Sequence, residues 1–215
     1  MKRIVLLLII ICFIILTIFK VDARKTTFPL IGKLIIIDPG HGGVDNGASH
    51  LGVNEDEINL LISLELRKAL EKEGATVMMT RDGDYDLSRP NAIYRKKSDF
   101  DNRIRIINNS DSDLYLSIHL NFFHQSSYYG PQVFYYNDQK LAEVIQNELN
   151  NNLNSKRKAK KMDNSNYMYS KLNINGVLIE CGFLSNTNER NKLSTKEYQK
   201  NLALIITKGV INYYN

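Results

Sequence analysis

Three short segments of this chain, far apart in sequence, each contain a residue type that proteins use to bind transition metals. His41 lies in the glycine-rich segment Asp38–Gly43, Glu55 begins a helical pattern, and His119 stands near the end of an apolar run. Two imidazoles and one carboxylate form a ligand set that suits Zn²⁺ and leaves a fourth position open for water. We therefore predict a hydrolytic zinc centre with His41, Glu55 and His119 as the metal ligands.

A further carboxylate, Glu180, follows the apolar run Val177–Ile179. A carboxylate beside a metal can take a proton from water and pass it to a leaving amine, so we predict that Glu180 is the catalytic acid/base. Two alternatives stay open. Glu180 could form a structural ion pair with Arg81 or Arg103, and Cys181 could act as a nucleophile, although no Cys-His signature surrounds it.

The apolar pattern predicts strands that alternate with helices. The predicted strands are Leu34–Ile37, Thr76–Met79, Leu114–Leu120, Gln132–Tyr136 and Val177–Ile179. The predicted helices are Glu55–Glu73, Asp101–Asn109, Lys140–Leu153 and a last helix, capped by Ser194, that ends near Tyr213. This order is typical of an α/β fold, which we expect as a single domain with a twisted, mostly parallel central sheet flanked by helices. Active sites in such sheets gather at the carboxyl ends of the strands.

The amino-terminal segment differs from the rest of the chain. Two basic residues precede an apolar run from Ile4 to Phe19, which predicts a signal peptide or membrane anchor over residues 1–25. The poor cleavage site favours the anchor, and both alternatives export the domain. We expect a linker at 26–32 and one catalytic domain at 33–215. Five of the 28 basic and one of the 23 acidic residues precede Thr26, so the domain is nearly neutral and its charge does not favour nucleic-acid binding.

At these residues the chain resembles the zinc-dependent N-acetylmuramoyl-L-alanine amidases of bacterial cell walls, the amidase-3 family. The resemblance covers nearly everything from Lys33 to Tyr214. Its motifs, in family order, are Asp38–Gly43, Glu55–Leu60, Thr80-Arg81, Asp113–Asn121 and Leu178–Asn186. It implies an amidase-3 domain at 33–215, zinc bound by His41, Glu55 and His119, and a catalytic Glu180. We also predict that Asn121 binds substrate.

The implied reaction is hydrolysis of the amide between the lactyl group of N-acetylmuramic acid and L-alanine in peptidoglycan. The short leader, the single domain and the segment Gly182–Asn186 most resemble the sporulation- and germination-specific spore-cortex amidases. That resemblance implies a role in muramic-δ-lactam formation, before a separate muramic acid deacetylase. We expect the domain to be exported and to lie at the extracytoplasmic face of the membrane, held there by its amino-terminal segment. This place could be the space between forespore and mother cell.

Two other functions stay open, because a zinc site does not by itself choose the amide. The chain could be a zinc peptidase that cuts within the stem peptide, or a wall-binding protein without catalysis. The segment His124–Asn137 is too short for the inhibitory helix of some division amidases, so we expect no built-in plug over the zinc. The sequence shows no wall-binding repeat, so we expect localisation, or an activating partner, to come from the anchor or another protein. The basic run Lys156–Lys161 predicts a solvated loop or a contact with an anionic polymer or lipid. We expect His50 and His124 at the surface.

Overall fold

The computed structural model describes Val5 and residues 28–215 of the chain. The predicted signal or anchor segment, residues 1–25, lies outside the described residues apart from Val5, as do the first two residues of the predicted linker. Within the described part of the chain, no helix combines the length and the apolar character that a membrane crossing requires.

A six-stranded sheet forms the centre of the molecule. Its strands are β1 (Leu34–Pro39), β4 (Thr76–Met79), β5 (Leu114–Asn121), β6 (Gln132–Tyr135), β7 (Lys160–Lys161) and β8 (Gly176–Phe183). They lie in the order β4-β1-β5-β8-β6-β7. Strands β4, β1, β5 and β8 are parallel, β6 is antiparallel to β8, and β7 is parallel to β6. The predicted α/β fold with a mostly parallel central sheet is confirmed.

Helices cover both faces of this sheet, and a two-stranded hairpin precedes the first helix. The hairpin is formed by β2 (Ser49–His50) and β3 (Val53–Asn54). The helices are α1 (Glu55–Lys72), α2 (Arg95–Asn108), α3 (Gln139–Leu153), α4 (Thr187–Leu193) and α5 (Lys196–Tyr214), with a 3₁₀ turn at Tyr169–Lys171. The larger core contains apolar residues of α1, α3 and α5, and a smaller one beside α2 contains Ile36, Ile107 and Tyr115. Because both faces are covered, β1 and β5 are buried almost throughout, as their continuous apolar runs predicted.

Helix α2 begins at Arg95, six residues before the predicted start at Asp101. The buried positions of this helix are Asp99, Arg103 and Ile107, which follow one another at intervals of four residues. Two of these three side chains are charged. A search for apolar periodicity therefore could not detect the first two turns of the helix.

Three other boundaries differ from those predicted. Strand β8 continues to Phe183, which places Glu180 within the strand rather than after it. The end of the predicted basic loop forms the edge strand β7. The last helix is capped by Thr195 instead of Ser194, because the Thr195 side chain accepts a hydrogen bond from the backbone N–H of Tyr198 at 3.4 Å. The short helix α4 was not predicted.

A buried ionic network lies at the carboxyl end of β1. Arg103 donates from Nη1 to Asp38 Oδ1 at 2.7 Å and from Nε to Asp99 Oδ2 at 2.8 Å. The hydroxyl groups of Thr80 and Ser117 also donate to the Asp38 carboxylate, at 2.6 and 2.9 Å. Burial favours a raised pKa for Asp38, but the charge of Arg103 and these hydrogen bonds outweigh it and lower the pKa below its usual value. The Asp38 carboxylate therefore stays ionised in the interior.

Replacing Arg103 should destabilise the fold strongly. In Arg103→Met the ionised Asp38 would remain buried without its partner, which typically costs about 3–5 kcal/mol. Chemical denaturation of the full-length protein would measure the change in the free energy of unfolding. Arg105→Met is the matched control, because Arg105 is exposed on the same helix and its loss should change stability by no more than about 0.5 kcal/mol. Equal losses in the two variants would contradict this account of the network.

Candidate metal centre

The loop after β1 carries His41 and is held by two buried arginines. Arg81 donates to the carbonyl oxygens of Pro39 and Gly40, at 3.0 and 2.8 Å. Arg103 donates to those of Pro39 and His41, at 2.7 and 2.6 Å. His41 itself has a φ of 62°, in the left-handed region that non-glycine residues rarely adopt. The arginines bind the carbonyl groups of this turn, which fixes the backbone from which the imidazole of His41 projects.

Two glycines allow the side chains of the site to come close to the backbone. A Cβ atom at Gly40 would lie 2.2 Å from Cε1 of His119, so the imidazole occupies the space that a side chain would take. A Cβ atom at Gly47 would lie 2.6 Å from Oε2 of Glu55 and 2.7 Å from Cδ2 of His41. Gly47 also has a φ of +64°, which favours glycine on its own account.

Glu55 is the first residue of α1, where the helix dipole favours a negative charge. Its carboxylate is buried and accepts two backbone hydrogen bonds, from the N–H of Ala48 to Oε2 at 2.9 Å and from the N–H of Leu120 to Oε1 at 3.1 Å. The side-chain amide of Asn59, one turn further along α1, donates to Oε1 at 3.3 Å. These contacts set the carboxylate between the β2–β3 hairpin and the end of β5.

The structure brings the three predicted ligands together. Oε1 of Glu55 lies 3.0 Å from Nδ1 of His119 and 3.3 Å from Nε2 of His41. Each residue offers a donor atom, and these three atoms lie within 4.8 Å of one another. Two imidazole nitrogens and one carboxylate oxygen at this spacing fit a tetrahedral Zn²⁺ site with one position open. Among the described residues this is the single group of at least three histidine, cysteine or acidic side chains with such convergence.

The charge balance of the cluster also suits a cation. Burial lowers the pKa of His41. Its hydrogen bonds with Glu55 and Asp45 and the negative charges of these two residues outweigh burial and raise the pKa to about 9. Burial likewise opposes ionisation of Glu55, yet contacts with the two histidines hold its pKa well below the usual range. The negative charges of Glu55 and Asp45 thus favour the protonated form of His41. A histidine that binds a metal must be deprotonated at the ligating nitrogen, so a divalent cation would take the place of this proton.

A residue that the sequence analysis missed, Asp45, contacts the cluster from behind. Its Oδ2 lies 3.0 Å from Nδ1 of His41, the ring nitrogen that faces away from Glu55. A carboxylate at this position makes Nδ1 the protonated nitrogen and leaves Nε2 free to ligate, as is usual for histidine ligands. The spacing of four residues after His41 was the available signal, but the glycine-rich loop has no regular period from which its direction could be inferred.

Glu180 faces the same cavity as the two histidines, a space of about 220 Å³. In the sheet it pairs with His119 across β5 and β8. Its Oε2 is buried and has no hydrogen-bond partner among the described residues. Burial and the charge of Glu55 raise the pKa of Glu180 to about 8, against a smaller opposite effect of His41.

The structure decides against the two alternatives for this segment. Arg81 and Arg103 donate to backbone carbonyl groups and to other carboxylates, and no salt bridge to Glu180 occurs within residues 28–215. Cys181 is fully buried on the next position of β8, and burial together with the charge of Glu180 raises the pKa of its thiol. A buried thiol with a raised pKa is unsuited to nucleophilic attack.

The remaining predicted residues lie around the site. Asn121 is two positions beyond His119, after an irregularity in the β5–β8 register, and its carbonyl oxygen accepts the N–H of Leu184 at 2.9 Å. It is not among the residues that line the 220 Å³ cavity. His124 is exposed in the loop after β5, as expected, whereas His50 is partly buried in β2 with its ring 5.6 Å from that of Phe122.

With this geometry established, comparison with known proteins identifies the family. A sequence model described as N-acetylmuramoyl-L-alanine amidase matches residues 35–212, which include His41, Glu55, His119 and Glu180. The chain belongs to the N-acetylmuramoyl-L-alanine amidase family. This confirms the resemblance inferred from the motifs, and it makes the chain an amidase of peptidoglycan.

Individual relatives extend this result. The amidase is 39% identical over 199 residues to the germination-specific N-acetylmuramoyl-L-alanine amidase of Bacillus subtilis (strain 168), an alignment that covers 89% of this chain and 84% of the relative. Its structure is similar to that of the CwlD amidase from Clostridioides difficile in complex with the GerS lipoprotein, with a TM-score of 0.80 and 40% identity over 85% of this chain and 98% of the other. It also resembles the amidase AmiC2 of Nostoc punctiforme, with a TM-score of 0.74 and 29% identity over 84% of this chain and 96% of that one.

Asp45→Asn should weaken metal binding by the amidase without unfolding it. The amide is a poorer hydrogen-bond acceptor than the carboxylate, and loss of such a contact behind a histidine ligand typically lowers metal affinity by about 10–100-fold. Competition with a chromophoric chelator would measure the affinity for Zn²⁺. Asp111→Asn, at an exposed turn with positive φ that asparagine tolerates, is the control and should leave the affinity unchanged. Unchanged affinity in Asp45→Asn would exclude this role for Asp45.

Proposed function

We propose that the amidase is a zinc-dependent hydrolase of the bond between N-acetylmuramic acid and L-alanine. In this proposal residues 33–215 form the catalytic domain, His41, Glu55 and His119 hold the metal, and Glu180 is the acid/base. The observation that carries it is the convergence of three donor atoms within 4.8 Å beside a cavity lined by the Glu180 carboxylate, whose Oε2 has no hydrogen-bond partner within residues 28–215. The choice of the amide between N-acetylmuramic acid and L-alanine as the bond that is cut rests on the family match.

The residues of the chain divide the work between them. Bound Zn²⁺ would supply Lewis-acid chemistry, since it lowers the pKa of water to about 7 and polarises a carbonyl oxygen. Glu180 takes the proton of the attacking water and returns it to the nitrogen of the leaving L-alanine. A pKa near the working pH suits a group that must accept and release a proton in one cycle. Asp45 orients His41, and Gly40 leaves room for His119. Asn121 remains a proposed substrate contact at the end of β5.

Glu180→Gln should abolish turnover while Zn²⁺ stays bound. The amide fills the same volume but cannot take a proton, and loss of such a group typically reduces the rate by about 10²–10⁴-fold. The full-length protein, solubilised in detergent, would be incubated with vegetative and cortex peptidoglycan, and the products read by mass spectrometry. Metal content would be measured on the same samples, and Glu143→Gln, an exposed substitution on α3, serves as control.

The products of the unsubstituted protein separate the candidate functions. Free stem peptides that begin with L-alanine, lost with a chelator and restored by Zn²⁺, are expected. Cleavage inside the stem would replace the proposed function with that of a zinc peptidase. Binding to peptidoglycan without any product, by a zinc-loaded protein, would favour a wall-binding role. Full activity in Glu180→Gln would remove this residue from the mechanism.

The biological setting that we propose is maturation of the spore cortex. Two relatives support it: one is named a germination-specific amidase, and the other was solved in complex with a lipoprotein. The amidase would act outside the cytoplasmic membrane, in the space between forespore and mother cell, either tethered by residues 1–25 or released from them. A lipoprotein is the class of activating partner that we propose, and a muramic acid deacetylase would act on the stripped glycan before the lactam closes.

Deletion of this gene should therefore yield spores whose cortex lacks muramic-δ-lactam. Removal of the stem peptide must precede ring closure, because the lactam uses the carbonyl carbon that the peptide occupies. Digestion of purified cortex and chromatography of the muropeptides would measure the lactam, and germination assays would follow its loss. Complementation with the unsubstituted gene should restore the lactam, whereas the Glu180→Gln gene should not. A normal lactam content in the deletion strain would contradict the cortex role.

A further inference from the structure

A second groove extends from the cavity of the metal centre towards the far edge of the sheet. It has a volume of about 520 Å³ and shares Asn166, Leu178 and Glu180 with that cavity. The two spaces therefore adjoin, and Glu180 lies on the wall that they share. The residues of the groove beyond this point include Phe134, Lys160, Lys161 and Asp163.

The register of the sheet places Lys160 on the same face as Glu180. Leu178 pairs with Phe134 across β8 and β6, and Phe134 pairs with Lys160 across β6 and β7. Directly paired residues project from the same face of a sheet, and so do residues two positions apart in one strand. Leu178, Phe134 and Lys160 thus form a row across three strands, and Glu180 lies two positions from Leu178 along β8.

The groove has a basic end formed by Lys160 and Lys161, with Asp163 beside them. Lys160 and Lys161 are exposed, and neither forms a salt bridge within residues 28–215. The nearby carboxylate of Asp163 accepts the backbone N–H of Ser165 at 2.8 Å. Strand β7 is also the outermost strand of this sheet, and no strand within residues 28–215 pairs with its outer edge, so an extended peptide could lie along it.

The distance from Glu180 to Lys160 matches a short piece of extended peptide. Neighbouring strands are about 4.8 Å apart, which puts the Cα atom of Lys160 about 10 Å from that of Leu178 and about 12 Å from that of Glu180. An extended chain covers about 3.3–3.6 Å per residue, so this span corresponds to three or four residues. The flexible side chain of Lys160 can extend towards Glu180 and contact the residues of such a peptide that lie nearest to the cleaved bond.

We propose that this groove binds the peptide stem of the substrate and that Lys160 binds a carboxylate of the acidic residue next to L-alanine. This inference rests on the proposed function, since Glu180 marks the end at which the bond is cut. Peptidoglycan stems carry glutamate as their second residue, and its α-carboxyl group is either free or amidated. Lys160 therefore gives the amidase a preference for the free acid, and Phe134 and Leu178 contact the apolar parts of the stem.

Lys160→Ala should reduce this preference. Two synthetic muramoyl peptides, identical except for a free or an amidated carboxyl group on the second residue, would be tested with the full-length, zinc-loaded protein. We expect KM for the free acid to rise about fivefold, the size of one partly exposed ion pair, and KM for the amidated form to stay constant. Lys158→Ala is the matched control, because Lys158 is exposed in the same basic run but does not line the groove.

A second measurement does not depend on turnover. Binding of the free stem peptides, acid and amidated, to the full-length Glu180→Gln protein would be followed by calorimetry with and without Lys160→Ala. Affinity for the acid form should fall about fivefold with the loss of Lys160, and more steeply at low salt.

The outcomes distinguish this inference from the proposed function. Equal KM values and equal affinities for the two forms, unaffected by Lys160→Ala, would overturn the role of Lys160 even if the amide is cut as proposed. A selective effect of Lys160→Ala on binding would support the groove even if cleavage fell at another bond. Equal effects of Lys158→Ala and Lys160→Ala would show attraction by the whole basic run, and would overturn a specific site.

Discussion

The site depends on one buried carboxylate, that of Glu55. It accepts hydrogen bonds from the backbone on both sides, at Ala48 and Leu120, and its Oε1 contacts both His41 and His119. A buried charge is stable only when it is paired and hydrogen-bonded, so the Glu55 carboxylate depends on each of these contacts to stay ionised. The loop after β1, the β2–β3 hairpin, α1 and the end of β5 are thereby held around one position. A divalent cation placed there would satisfy the same negative charge that now retains a proton on His41.

A second set of charges holds the turn that carries His41. Arg81 and Arg103 donate to successive carbonyl groups of the turn that carries His41, and Arg103 also pairs with Asp38 and Asp99. Loops rarely lie in the interior, because their backbone polar groups need partners there. The two guanidinium groups provide those partners, and each offers several donors in a rigid plane. The left-handed conformation of His41 is therefore held by contacts that are themselves buried, which keeps the imidazole in place before any metal or substrate binds.

The features that the sequence did not predict involve polar residues that are wholly or partly buried. The apolar pattern does not predict the first two turns of α2, because their buried residue, Asp99, is charged and its partner Arg103 lies one turn later. The full length of β8 was underestimated because Glu180 interrupts the apolar run at the position where the site needs a carboxylate. Asp45 was missed because its contact with His41 arises in an irregular loop. In each case the residue is buried because of its ionic or polar contacts, and a pattern of apolar residues cannot reveal such a residue.

The sequence by itself determined the alternation of strands and helices, the parallel core sheet, and the types of residue that stand at the ends of β1, β5 and β8. Local periodicity and the order of apolar runs carry that information, and parallel strands necessarily bring their carboxyl ends to one edge. Only the tertiary structure decided which donor atoms meet, that Glu180 has no ion-pair partner among the described residues, and that Lys160 shares its face of the sheet. These facts depend on contacts between residues far apart in the chain, such as the 64 positions between Glu55 and His119. Strand order and register set such contacts, and neither can be read from a local pattern.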